Sequence, residues 1–171
     1  MPSLILAHDI GTTGDKATLF SIDGRLVASA ASAYRTRYFN ATWAEQDPED
    51  WWAAVRSTTR SLLEGRDPRE VGAVAFSGQM MGCVCADENG KPLRNAVIWA
   101  DQRAQREAEW LRERIGREEM YRITGHRASP SYTAAKLLWQ RAHHPELKAA
   151  THRILQPKDL SLIHISEPTR P

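Results

Sequence analysis

The sequence has little cysteine, no long apolar run and almost no net charge. Its 171 residues carry 23 Lys and Arg against 21 Asp and Glu, a net charge of +2. This balance argues against the basic footprint of a nucleic-acid-binding protein. The longest apolar stretches, such as residues 71–76, are far shorter than the about 18 residues of a membrane span, and the N-terminus lacks a secretory signal pattern. We therefore expect a cytoplasmic protein that binds neither nucleic acid nor membrane.

The two cysteines, Cys83 and Cys85, form a lone C-x-C pair. A structural zinc site needs a third and a fourth ligand, which this spacing does not supply. We expect free, buried thiols in a reducing compartment. A hydrophobic fraction of 42% with 26% charged residues excludes a disordered chain. A chain of this length can bury a core of its own without disulfides or a metal.

The hydrophobic pattern predicts an α/β protein with a mixed sheet and flanking helices. The predicted strands are residues 4–8, 16–22, 25–33, 71–76, 83–86 and 96–99, and the predicted helices are about residues 47–64, 102–115, 118–123 and 132–142. Asp47 and Pro48 form a strong helix start, because an acidic N-cap precedes proline at the first helical position. Asp23 and Gly24 predict a tight hairpin turn. Residues 38–46 are expected to be a loop, and residues 152–160 a strand followed by a turn.

A polar, glycine-containing turn separates the first two predicted strands and holds Asp9, Gly11, Thr12, Thr13 and Lys16. A carboxylate at a strand end can hold Mg²⁺ through water, and glycine, threonine and lysine offer donors to a polyphosphate. The spacing is not that of a Walker A loop. The alternative is an ordinary hairpin in which glycine and threonine only form the turn.

Two further segments carry polar side chains next to predicted strands. Gln79, Met80 and Met81 lie in a turn after a buried strand, where α/β sheets place ligands. Alternatively, the methionines only fill the core. Asp101 and Arg103 can hold a polyol through charge-assisted hydrogen bonds, or they are a helix N-cap and a surface arginine.

Taken together and in order, these segments resemble the FGGY family of carbohydrate kinases over residues 4–160. The matching motifs are Asp9-x-Gly-Thr-Thr-x-x-Lys16, Trp43-x-Glu-Gln-Asp-Pro-x-x-Trp-Trp52, Ser77-Gly-Gln-Met80, Trp99-x-Asp101-x-Arg103, Lys136-Leu-x-Trp139 and Pro157-Lys-Asp-Leu160. The resemblance implies a ribonuclease H-like fold of the actin and hexokinase type. It also implies ATP-dependent phosphorylation of a sugar or polyol, with a pentulose such as xylulose as the expected acceptor.

The resemblance also implies roles for individual residues. Asp9 would orient Mg²⁺ through water, and Gly11, Thr12, Thr13 and Lys16 would lie against the phosphates of ATP. The implied cofactors are ATP and Mg²⁺, and the implied partner is a small sugar. The sugar would be held by Gln79, Met80, Met81, Asp101 and Arg103.

Two departures from the family pattern limit this interpretation. Xylulokinases usually read Gln-Met-His-Gly where this chain reads Gln79-Met80-Met81-Gly82. The family's catalytic aspartate lies downstream of the matched residues, so we expect no catalytic base here and an inactive N-terminal fragment. The alternative function is a non-catalytic, actin-like nucleotide-binding or regulatory module. Residues 161–171 follow no helical or strand period, and we expect them to be a non-native tail. The sequence does not determine an oligomeric state.

Overall fold

The computed structural model describes residues 2–166, which form two compact units. Unit 1 contains residues 2–36, 47–79 and 157–166, and unit 2 contains residues 37–46 and 80–156. The strands are β1 (Leu4–Ile10), β2 (Gly14–Ser21), β3 (Leu26–Ala33), β4 (Arg37–Phe39), β5 (Trp43–Gln46), β6 (Val71–Gly78), β7 (Val84–Ala86), β8 (Ala96–Val97) and β9 (Arg153–Leu155). The helices are α1 (Pro48–Leu63), α2 (Gln105–Ile115), α3 (Arg117–Thr124), α4 (Thr133–His143), α5 (Pro145–Ala150) and α6 (Pro157–Ser166).

Unit 1 is a mixed four-stranded sheet in the order β3-β2-β1-β6. β1 pairs antiparallel with β2 and parallel with β6. Alternate residues of β1 and β2 are buried because side chains alternate between the two faces of a strand. The resulting core cluster contains Leu4, Leu6, Ala17, Leu19 and Leu62. The predicted mixed sheet and its first three strands are therefore confirmed.

Helix α1 begins where the sequence predicts. The Asp47 side chain accepts a hydrogen bond from the Glu49 N–H at 3.0 Å, and Pro48 occupies the first turn. Proline costs nothing there, since its missing N–H would have no partner within the helix. Trp51, Val55 and Leu62 are among the residues buried on one side of this helix.

Unit 2 contains two small sheets, β4-β5-β8 and β7-β9, and the helices α2 to α5. The predicted loop over residues 38–46 is wrong, because β4 and β5 pair antiparallel there. Strands of three and four residues are too short for alternation to show in the sequence. β6, which covers the predicted strand 71–76, pairs with β1, and β7, within the predicted strand 83–86, pairs with β9. The predicted free, buried state of Cys83 and Cys85 is confirmed.

The predicted turn after residue 155 is also wrong, since α6 begins at Pro157. Proline after a strand is compatible with a turn, but it is equally suited to the first turn of a helix. α6 packs against α1 and β6 within unit 1. It includes the first part of the expected tail, and residues 167–171 lie outside the described residues. No helix in residues 2–166 combines the length and apolar character needed to cross a membrane.

Candidate functional site

The hairpin between β1 and β2 carries the predicted phosphate-binding residues. In the strand register Asp9 lies directly opposite Lys16, and both side chains are exposed. Opposite residues of an antiparallel pair project from the same face with their Cβ atoms about 5 Å apart. The structure therefore brings a carboxylate and an ammonium group together on the open face, beside the turn that contains Gly11, Thr12 and Thr13.

Close backbone packing fixes the shape of this turn. The Gly11 N–H donates to the carbonyls of Asp9 and Gly14, each at 3.0 Å. A Cβ on Gly14 would lie 2.6 Å from the Ser32 carbonyl oxygen, so only glycine fits beside β3. The Tyr34 hydroxyl donates to the Gly11 carbonyl at 2.5 Å. Burial, with the nearby charges of Asp15 and Asp9, raises the pKa of Tyr34, and its hydroxyl therefore remains a donor at neutral pH.

A buried polar network lies on the opposite face of the same hairpin. Oδ2 of Asp15 accepts a hydrogen bond from Thr58 Oγ1 at 2.6 Å and lies 2.9 Å from His8 Nδ1. Nε2 of His8 lies 3.2 Å from Thr59 Oγ1. These contacts attach the hairpin to α1. The sequence interpretation missed this network, although His8 and Asp15 occupy positions on the buried face of the strand alternation.

Gln79 is attached to the hairpin turn. Its backbone N–H donates to the Ile10 carbonyl at 2.8 Å, and its Nε2 donates to the Gly11 carbonyl at 3.3 Å. A Cβ on Gly78 would lie 2.8 Å from the Ile10 carbonyl oxygen, so glycine is needed for β6 to approach β1 this closely. The structure thus brings Gln79 together with the predicted phosphate-binding residues, and all of them belong to unit 1.

The donor set of this hairpin suits a magnesium–nucleotide complex. Exposed carboxylate oxygens are ligands that Mg²⁺ prefers. Phosphate oxygens accept hydrogen bonds from ammonium, hydroxyl and turn N–H groups. Within residues 2–166, no three His, Cys, Asp or Glu side chains cluster as ligands for one metal ion. A cation at Asp9 would therefore keep much of its water shell, as Mg²⁺ usually does.

Met80 and Met81 belong to unit 2, and a buried lysine binds the Met81 carbonyl. Met81 has a φ of 64°, in the left-handed region that side chains other than glycine rarely adopt. The Lys136 Nζ donates to the Met81 carbonyl at 2.7 Å and also to the Ser131 carbonyl. Lys136 is fully buried. The sequence indicated no role for this lysine beyond its place in the motif. Both of its acceptors are backbone carbonyls, which every residue has and which therefore leave no signal in the sequence.

The charge of Lys136 makes the stability of the fold dependent on pH. Burial lowers the pKa of Lys136 from 10.5 to about 8. Between these values the unfolded chain binds more protons than the folded chain, so the free energy of unfolding rises with pH. We expect the difference in unfolding free energy between the unmodified chain and Lys136→Met to rise by about 3 kcal/mol from pH 8 to pH 10.5. Urea titrations at each pH measure it, and a difference that does not change with pH contradicts the assignment.

Asp101 and Arg103 form a buried ion pair inside unit 2. Arg103 Nε lies 2.9 and 3.0 Å from the two Asp101 oxygens, and Nη2 donates to Oδ2 at 2.8 Å. Asp101 Oδ2 also accepts from the Ala44 N–H at 2.6 Å. Arg103 Nη1 lies 2.8 Å from Glu45 Oε1, and its guanidinium carbon lies 3.9 Å from the centre of the Trp43 ring. The pair therefore connects β5 to the segment that precedes α2.

This geometry shows that the alternative for Asp101 and Arg103, a helix N-cap and a surface arginine, is wrong. The N-cap of α2 is Ala104, and the Arg103 side chain is buried rather than on the surface. Asp101 has no exposed area, and its carboxylate accepts hydrogen bonds from the Ala44 N–H and from Arg103. A direct contact of Asp101 or Arg103 with a sugar stays a prediction.

Comparison with known proteins decides the family. The model of the "FGGY family of carbohydrate kinases, N-terminal domain" matches residues 4–167. The chain belongs to the FGGY family of carbohydrate kinases. The family resemblance inferred from the motifs is thereby confirmed.

The similar proteins are several times longer than this chain. The xylulose kinase of Escherichia coli (strain K12) is 34% identical over 156 residues, which cover 91% of this chain and 32% of the relative. The gluconokinase of Bacillus licheniformis is 30% identical over 159 residues, which cover 93% of this chain and 31% of the relative. The chain thus spans about a third of the length of the curated relatives it matches.

A solved structure of the same family supports the fold class. The crystal structure of a xylulose kinase from Brucella ovis superposes with a TM-score of 0.86 at 31% identity, and the match covers 94% of this chain and 34% of that one. The predicted actin- and hexokinase-type fold is confirmed for the part of the family fold that this chain spans.

Proposed function

We propose that this chain is the N-terminal part of a kinase that transfers phosphate from ATP to a sugar or polyol in the cytoplasm. The observation that carries the proposal is the β1–β2 hairpin. It places Asp9 opposite Lys16 on an open face and holds Gln79 against the Gly11 carbonyl. Family membership supports the same reaction class, since the similar proteins are named as kinases of xylulose and gluconate.

Different residues of this hairpin are proposed to bind the metal ion and the phosphates of the nucleotide. Asp9 would hold Mg²⁺ through water, and Gly11, Thr12, Thr13 and Lys16 would contact the phosphates of ATP. ATP with Mg²⁺ supplies the phosphoryl group and neutralises its charge during transfer. The buried contacts of Asp15 with α1 keep the hairpin rigid, so that Asp9 and Lys16 stay in position without reorganisation.

The acceptor lies against Gln79, Met80 and Met81. Gln79 offers an amide to a sugar hydroxyl, whereas the thioether of Met81 is only a weak hydrogen-bond acceptor. A pentulose is the acceptor class we propose, and gluconate is the alternative suggested by the gluconokinases among the similar proteins. ADP release by the intact kinase, obtained by extending the reading frame in the source DNA, tests D-xylulose, gluconate and glycerol side by side. Absence of turnover with every acceptor contradicts the proposal.

A regulatory module that binds nucleotide without catalysis is the second candidate. It is favoured by the two acidic residues of the hairpin, because Asp9 is assigned to the metal and Asp15 is buried and paired, so that neither is available as a base. A regulatory module has no need of a sugar-binding turn. Sugar-stimulated ADP release by the intact kinase therefore excludes this candidate, and nucleotide binding without any turnover supports it.

The chain by itself is expected to phosphorylate no sugar, because neither acid of the hairpin, Asp9 at the metal or Asp15 in its buried pair, is available to accept the proton of the attacking hydroxyl. A coupled assay of ADP release checks this, with xylulose kinase of Escherichia coli as the active control. Turnover that clearly exceeds the rate without enzyme contradicts it. We also propose that residues 161–171 are a non-native tail, although residues 161–166 continue helix α6, Ser161 is buried and the family model extends to residue 167. An uninterrupted genomic read that encodes these residues and a stop codon would contradict that proposal.

A further inference from the structure

Three arginines line one small cavity within unit 2. The cavity has a volume of about 300 Å³, and the residues that line it are Arg112, Gly116, Arg117, Met120, Arg127 and Ala128. This volume is at the lower end of the range for small-molecule sites. None of these six residues is acidic, so the side chains that line the cavity give it a positive charge.

Two glycines bring the arginines to the same cavity. Gly116 has a φ of 83°, in the left-handed region, so that α2 ends there and α3 begins at the next residue. Its N–H donates to the Arg112 carbonyl at 3.0 Å. Arg112 in the last turn of α2 and Arg117 in the first turn of α3 therefore lie on either side of one turn. Gly125 ends α3 in the left-handed conformation, and Arg127 follows it as the chain returns to the cavity.

The protein neutralises the charges of these arginines only in part. Arg112 forms an exposed ion pair with Glu109. In the part of the chain that the structure describes, Arg117 and Arg127 form no ion pair with an acidic side chain. Guanidinium groups around one cavity repel each other, and an anion bound between them offsets this repulsion. The cavity therefore favours a negatively charged ligand.

The number of guanidinium groups favours phosphate over carboxylate. One arginine can satisfy both oxygens of a carboxylate through a bidentate pair. A phosphate group carries up to two charges and at least three acceptor oxygens, so it can bond to several guanidinium groups at once. Met120 is buried, and with Ala128 it forms the apolar part of the wall. An apolar wall strengthens these charge-assisted bonds, because less water competes for them.

We propose that Arg112, Arg117 and Arg127 bind the phosphate group of a small anion, either inorganic phosphate or a phosphate ester. Arg127, Met120 and Ala128 also line a neighbouring cavity of about 530 Å³, which offers room for the organic part of an ester. The inference goes beyond the proposed function, since none of the three arginines is among the residues assigned to ATP or to the acceptor.

Calorimetric titration of the 171-residue chain tests this site, with inorganic phosphate and glycerol 2-phosphate as probes, at constant ionic strength and without Mg²⁺. Arg117→Gln and Arg127→Gln should each weaken binding about tenfold or more, because each removes hydrogen bonds to a charged group. Arg114→Gln removes an exposed arginine of α2 outside the cavity lining and should leave the affinity unchanged. The probe that binds more tightly identifies the source of the phosphate group.

Glu118→Gln tests the same site with an effect of opposite sign. Glu118 is exposed and lines a further cavity of about 670 Å³ together with Arg117 and Arg127. Removing its negative charge should tighten phosphate binding by about twofold to fivefold, which damage to the fold would not do. Unchanged or weaker binding after this substitution contradicts the electrostatic basis of the site.

The β1–β2 hairpin of unit 1 is the other place where phosphate could bind, and Lys16→Ala separates the two. Binding that is lost in Lys16→Ala but retained in Arg117→Gln and Arg127→Gln assigns the phosphate to the hairpin and overturns the inference. No binding at tens of millimolar phosphate also overturns it. Thermal melts without phosphate control for the fold, and because both arginines are exposed we expect melting temperatures close to that of the unmodified chain.

Discussion

Replacing Arg103 with methionine is expected to lower the free energy of unfolding by about 3–5 kcal/mol. The guanidinium group of Arg103 neutralises Asp101, which has no exposed area, and also pairs with the buried Glu45. Methionine fills a similar volume but leaves both carboxylates buried without this cation. Removing one partner of a buried ion pair is far more costly than exchanging the whole pair for apolar side chains.

Equilibrium unfolding in urea measures this effect, and two further variants locate its cause. Arg103→Lys keeps the charge but loses the bidentate geometry and the stacking on Trp43. We therefore expect it to restore only part of the unfolding free energy that Arg103→Met loses. Arg112→Met removes an exposed ion pair with Glu109 on α2 and should cost less than about 1 kcal/mol. A loss at Arg103 no larger than the loss at Arg112 would show that the buried pair is not the cause.

Asp9→Ala is expected to lower the turnover of the intact kinase by about a hundredfold or more, which is the size of effect seen when one preorganised charge-stabilising group is removed. In the proposed site Asp9 holds the metal ion, whereas Lys16 is one of several groups that contact phosphate. Lys16→Ala should therefore reduce turnover less. Because the two residues are opposite each other in the β1–β2 register, both substitutions disturb the same part of the sheet.

Steady-state rates at saturating Mg²⁺ and ATP measure the Asp9 effect. A thermal melt of each variant controls for damage to the hairpin, since loss of fold would affect both variants alike. If Asp9→Ala retains a turnover number near that of the unmodified enzyme, Asp9 does not hold the metal.

Features determined by neighbouring residues were predictable from the sequence. The N-cap of α1 depends on Asp47 and Glu49, and the turn at Asp23 and Gly24 depends on adjacent backbone groups. The β1–β2 hairpin was predictable for the same reason, because the two strands are separated by three residues. Its local chemistry was compatible with either a phosphate-binding loop or an ordinary hairpin, and the family resemblance favoured the phosphate-binding loop.

Features that depend on distant partners were not predictable. Asp101 binds the Ala44 N–H, which lies 57 positions earlier in the chain. Asp15 binds Thr58, 43 positions later. The alternatives weighed for Asp101 were an N-cap and a polyol ligand, and both consider only nearby residues or an external ligand. To predict a buried ion pair stacked on an aromatic ring, one must know which strand packs against the segment that precedes α2. That strand is β5, which is too short to be recognised in the sequence.

The order of segments within unit 1 has a consequence for the newly synthesised chain. Strands β1 to β3, α1 and β6 leave the ribosome first, and α6, which packs against α1 and β6, leaves only after the whole of residues 80–156. At about 5–20 residues per second, this delay is on the order of ten seconds. Throughout that interval the surfaces of α1 and β6 that α6 will cover are exposed to solvent. Folding of unit 1 is therefore completed only after the whole of residues 80–156 has been synthesised.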